Sequence, residues 1–155
     1  MSHKGDSELG HPLMIEILKI EKLERLVEDD VETVLGVKFE RDERRSNPYF
    51  EFFVGYPSDG ISDLKVIDHV DFRKPRSLAS GRGPLLTIHL VTSADISSRE
   101  AVDILGQPAD ITVPEPSMGN PVRVYHCYEI TRGTTSFGIR ADDTIVSVVI
   151  DRTKR

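Results

Sequence analysis

Val31-Glu32-Thr33-Val34-Leu35-Gly36 is answered about 70 residues later by Val102-Asp103-Ile104-Leu105-Gly106. In each case a short apolar run with helical spacing stops at glycine. Glycine enters the left-handed region without a Cβ clash, so it closes helices. Each run is then followed by a proline and an aromatic strand pattern: Pro48-Tyr49-Phe50 in the first half, Pro121 leading to Tyr125 and Tyr128 in the second. Two further strand patterns follow in each half. The chain therefore reads as an α+β protein made of two helix-plus-antiparallel-strand repeats that form one sheet, with the helices packed on one face. The expected boundaries are a disordered N-terminus over 1–11, a first repeat over 12–92 and a second over 93–155.

Working outward, Pro12 is expected to open a helix, since proline suits a first helical turn. Leu13, Ile17, Ile20, Leu23 and Val27 share one helical face. Asp29 with Glu32, and Ser97 with Glu100, have the spacing of capping boxes. Strand patterns run over Tyr49–Tyr56, Leu64–Arg73, Leu85–Val91, Val122–Ile130, Thr135–Ala141 and Thr144–Asp151. Pro57-Ser58-Asp59-Gly60 and Asp142-Asp143 read as turns, and 75–83 and 109–121 as loops. Three strands with one apolar face need helices over that face, and an antiparallel sheet can leave its other face to solvent.

Composition narrows the function classes. The 155-residue chain has a formal net charge of −6 and no basic stripe, which argues against nucleic-acid binding and is compatible with a basic protein partner. A single cysteine, Cys127, rules out an intrachain disulfide. The N-terminal residues lack a signal-peptide pattern, and no apolar run approaches the roughly 20 residues that span a bilayer. These features point to a cytoplasmic protein without a membrane partner.

No catalytic motif stands out. The five histidines lack zinc-protease spacing. His69, His89 and Asp71 would share a wet sheet face, which does not amount to a metal set, and no cofactor is expected. Gly81-Arg82-Gly83 precedes a strand and lacks the ending of a phosphate loop. His126 and Cys127 are adjacent in a strand and must point to opposite faces, so they cannot act as a nucleophile pair.

The second half carries a family resemblance. Leu105-Gly106-Gln107-Pro108, the aromatic strand after it and the terminal Thr144-Ile145-Val146-Ser147-Val148-Val149-Ile150 resemble the β-lactamase inhibitor protein-like fold. Small outer-membrane assembly lipoproteins and several bacterial immunity proteins look similar. In the first half only Leu35-Gly36 and the following strand carry the resemblance, and the proline two residues after Gly36 is missing. The resemblance implies a non-enzymatic immunity or inhibitor protein that neutralises a bacterial toxin or enzyme by direct contact. The alternatives are a structural or assembly module of the lipoprotein type, or a small-ligand-binding domain.

The outward sheet face supplies the candidate contact residues. If Phe50, Phe52 and Val54 fill the core, then Tyr49, Glu51 and Phe53 point outward. Lys65, His69, Asp71 and Arg73 join them, followed by Thr87 and His89. With Val122, Val124 and Tyr128 inward, Arg123, Tyr125 and Glu129 face outward as well. Aromatic rings mixed with charges are the usual anchors of protein interfaces.

Overall fold

A computed structural model describes residues 3–58, 66–79, 81–115, 119–130 and 132–153, with side chains described from Pro12 onward. The elements run α1 (His3–Lys22), α2 (Glu28–Leu35), β1 (Val37–Arg41), β2 (Phe50–Pro57), β3 (Ile67–Pro75), a 3-10 turn (Ser77–Ala79) and β4 (Leu85–Leu90). They continue with α3 (Ser98–Leu105), β5 (Asp110–Thr112), β6 (Val124–Ile130), β7 (Gly133–Ile139) and β8 (Ile145–Asp151). The eight strands form one antiparallel sheet in the order β1-β2-β3-β4-β8-β7-β6-β5. An α+β fold with an antiparallel sheet is therefore what the chain adopts. No helix among the described residues is long and apolar enough to cross a membrane.

One apolar layer joins helices to sheet. Leu13, Met14, Ile17 and Ile20 of α1, Val31 and Leu35 of α2, and Ala101 of α3 are buried in a single cluster. The strands contribute Val70 and Phe72, Leu86 and Ile88, Val148 and Ile150, and Phe137 to the same cluster. Burying each large apolar side chain is worth about 1.5–3 kcal/mol, so packing rather than helix propensity holds α1 in place. Register fixes the phase: Phe72 lies opposite Leu86, Leu86 opposite Ile150, and Val148 opposite Phe137.

Helix ends differ from expectation in two places. α1 begins at His3, so Pro12 sits inside it and not at its start. α2 has no side-chain cap from Asp29. Its N-cap is Val27, and Glu32 instead accepts a hydrogen bond from the Phe39 amide at 2.7 Å. Glu32 thus reaches forward to β1, away from the helix start. Gly36 takes the left-handed helical conformation at φ 67° and ψ 36°, whereas Gly106, which closes α3, has φ 83° and ψ −164°. The second capping box does form: Ser97 N donates to Glu100 Oε2 at 3.1 Å.

β1 and β5 were not expected as strands, and β1 decides the phase of β2. Phe39 lies opposite Gly55, where a Cβ would come within 2.8 Å of the Phe39 ring. Phe39 then packs with Phe53 and Phe72 at ring-centre distances of 6.5 and 5.7 Å. Phe53 lies opposite Phe72 and faces the core. The expectation that Phe50, Phe52 and Val54 face inward, with Glu51 and Phe53 outward, is therefore corrected. Adjacent Phe52 and Phe53 give both phases an aromatic ring, so alternation alone could not choose between them.

Candidate functional site

The sheet face turned away from the helices is built from alternate residues of β2, β3, β4, β8, β7 and β6. Phe52 lies opposite Arg73, Val54 opposite Asp71, Asp71 opposite Thr87, and His69 opposite His89. Thr87 continues to Val149 and Ser136, and His89 to Ser147 and Gly138. Tyr125 lies opposite Gly138, Cys127 opposite Ser136, and Glu129 opposite Thr134. His126 falls in the other phase, opposite Phe137, as strand alternation demands.

A polar cluster centres on Asp71. Its Oδ2 lies 2.9 Å from His89 Nε2 and 3.8 Å from His69 Nε2. The two imidazoles stack with centres 4.2 Å apart and planes 14° from parallel. Asp68 Oδ2 lies 2.7 Å from His69 Nδ1. Arg45 reaches over from the β1–β2 connection and donates through Nη2 to Asp71 Oδ1 at 2.9 Å. Its Nε donates to Asp42 Oδ2 at 2.8 Å, and its guanidinium lies over Phe52 at 5.4 Å. The hydrogen bond with His89, followed by that from Arg45, holds the Asp71 carboxyl down to about 2 against the opposing effect of burial.

His69, Asp71 and His89 could bring three ligand atoms to one divalent ion, since these atoms lie within 4.8 Å of one another. A four-coordinate zinc at about 2.0–2.1 Å from each ligand would hold them roughly 3.3 Å apart. The two measured separations bracket that value. The two imidazoles, however, already share one Asp71 oxygen, at 3.8 and 2.9 Å. Asp71 is also already matched by Arg45. The arrangement suits a hydrogen-bonded charge network. Among the described residues the hydrogen-bond partners of the two imidazoles are carboxylates, Asp68 for His69 and Asp71 for His89.

Beside this cluster the face sinks into a groove of about 580 Å³. His69, Thr87 and His89 form one side, Ser147 and Val149 the middle, and Tyr125 with Val122 the other side. Next to it the packing is tight at Gly138, where a Cβ would lie 2.5 Å from Ser147 Oγ and 3.2 Å from the Tyr125 ring. Val122 is buried, but it packs on Gly138 at this face and not in the core as expected.

The expected contact residues thus divide. His69, Asp71, Arg73, Thr87, His89, Tyr125 and Glu129 share the open face, and Arg123 is exposed just ahead of β6. Tyr49 is exposed, but it precedes β2 in the phase of Glu51 and Phe53. Glu51 turns to the helix side, where Arg41 and Arg76 approach it at 3.5 and 3.9 Å. Lys65 and the turn at Asp59-Gly60 lie outside the described residues. Sequence reasoning missed Phe50, Phe52 and Tyr56, because the phase of β2 was inverted. It also missed Arg45, which sits in a connection with no strand pattern.

No protein-family model, curated protein or solved structure matches the chain.

Proposed function

We propose that the chain is a non-enzymatic binding protein whose uncovered sheet face grips a protein partner, in the manner of a bacterial immunity or inhibitor protein. One observation carries this reading. Phe50, Phe52 and Tyr56 share a helix-free face with Arg73, Asp71 and the stacked histidines, beside a groove of about 580 Å³. Arg73 lies over the Phe50 ring at 4.5 Å, and its Nε is buried without a hydrogen-bond partner. A rigid mixture of rings and positioned charges is suited to desolvation by a complementary protein surface.

The same reading takes the two halves as a duplicated unit. Each contains an eight-residue helix ending in Leu-Gly and a run of four strands, and the fourth strands pair at the centre. Duplication would build a broad sheet from a unit too small to present such a surface alone. The face carries both signs of charge, so a basic partner is favoured only by the overall −6.

Affinity capture from cells that encode the chain tests this. Tyr56→Ala combined with Lys38→Glu alters exposed positions on the open face, and Arg99→Glu alters an exposed position on α3. A partner held in one-to-one complex by the wild type and by Arg99→Glu, and lost by the double variant at unchanged melting temperature, is the expected result. Equal capture by all three proteins would contradict the proposal.

A further inference from the structure

A second cavity, of about 640 Å³, opens where the α1–α2 connection, the end of β3, the loop before β4, the β6–β7 turn and the residue after β8 meet. It shares no lining residue with the open-face groove. Its walls bring together Arg25, Lys74, Arg82, Arg132 and Arg152, against one lining carboxylate, Glu24. Such a concentration of positive charge runs against the net −6 of the chain.

Within the cavity these cations differ in how far they are matched. Lys74 is taken by Glu28 at 2.6 Å. The side chains of Arg25, Arg82 and Arg132 make neither an ion pair nor a hydrogen bond among the described residues. Arg152 is 8% exposed, and its Nη2 donates to the carbonyls of Ile20 and Glu21 at 2.9 and 3.1 Å. Its Nε is buried without a partner. Burial, and then the neighbouring Arg132, make Arg152 easier to deprotonate, while Glu21 opposes this. Holding a buried guanidinium beside other unpaired cations is costly unless an anion completes the site.

The backbone is shaped to hold this arrangement. Arg82-Gly83 and Arg132-Gly133 both press against the end of β8. A Cβ at Gly83 would lie 1.7 Å from the Arg152 carbonyl oxygen, and one at Gly133 would lie 2.1 Å from that of Asp151. Gly133 also has φ +120°. Two arginines are thus delivered beside a third by glycines that allow close backbone approach. Leu26, Val27, Pro75 and Pro84 supply apolar wall. The volume falls within the roughly 300–1,000 Å³ of small-molecule pockets.

We propose that this cavity binds a phosphorylated small molecule, its phosphate gripped by the exposed Arg82 and Arg132 beside the buried positive charge of Arg152, and its organic body against the apolar wall. Guanidinium groups match phosphate oxygens in a forked, charge-assisted geometry, and three of them neutralise a phosphate monoester dianion. The proposal stands apart from the partner-binding reading, and either can fail alone.

Calorimetric titration of the full chain tests it, with inorganic phosphate, adenosine 5′-monophosphate and uncharged adenosine at constant ionic strength. The monophosphate is expected to bind saturably, roughly tenfold or more tighter than inorganic phosphate, with adenosine not binding. Arg132→Gln and Arg82→Gln should each weaken it by about tenfold or more. Arg45→Ala, at the other face, should leave it unchanged. Absence of saturable binding by the monophosphate, affinity equal to that of inorganic phosphate, or undiminished affinity in both glutamine variants would overturn the proposal.

Discussion

Arginines do opposite work in two regions of this molecule. On the open face Arg45 is matched by Asp42 and Asp71, and Asp71 in turn by His89. Around Arg152 the cations outnumber the acids, and three of them lack a partner among the described residues. The Asp71 network of the first region is internally matched and can be rigid before anything binds. The second is held in place by glycines and backbone carbonyls despite repulsion, and it stays receptive to an anion. Charge count alone would not separate them; the pairing of individual atoms does.

The largest expected effect strikes the frame of the second region. Gly133→Ala forces a Cβ against the Asp151 carbonyl and strains a left-handed backbone, so it should cost about 3 kcal/mol or more. Gly119→Ala, also left-handed but with open space around it, should cost only about 1 kcal/mol. Urea denaturation of the two variants checks the difference. Similar losses would mean that the close approach at the end of β8 does not matter.

The next effect sharpens the first region. Asp71 has its carboxyl lowered to about 2, from an ordinary value near 3.8 in the unfolded chain. Its contribution is therefore complete above about pH 4 and fades as pH falls toward 2. Allowing for partial solvent screening, it is worth about 1–2 kcal/mol. Asp71→Asn should lose that amount at pH 7 and flatten the stability curve between about pH 4 and 2. An unchanged acid limb would show that the network does not hold Asp71 as described.

The smallest effect is a contrast of sign. Arg45→Ala removes a matched cation and should destabilise by about 0.5–1 kcal/mol. Arg132→Ala relieves Arg152 and should be neutral or stabilising, by roughly 0.5 kcal/mol at most. Thermal melts at low salt read both, and 1 M salt should shrink the contrast, because the screening length falls to about 3 Å. Destabilisation by both substitutions would erase the distinction between the regions.

How far the sequence could be read follows from the same atoms. The apolar alternation of β3 and β4 is clear, because Val70, Phe72, Leu86 and Ile88 alternate with the polar His69, Asp71, Thr87 and His89. The face containing His69, Asp71 and His89 was legible for that reason. β2 was not, since Phe50, Phe52 and Phe53 load both phases, and the choice is made by Phe39 on an edge strand too polar to recognise. The Arg152 cavity was illegible in a different way. Its arginines lie at positions 25, 82, 132 and 152, each beside a turn or chain end, and no periodic pattern links them. The glycines following Arg82 and Arg132 were the only local sign, and turns supply many such glycines.

The central claim is that contact with a protein partner occurs on the uncovered face of the sheet. A photoreactive phenylalanine analogue placed at Thr87, in the middle of that face, and separately at Ile104, exposed on α3, tests it in the cells that encode the chain. The account predicts one discrete cross-linked product from position 87 and none from position 104. A product from position 104 with none from position 87 would contradict it.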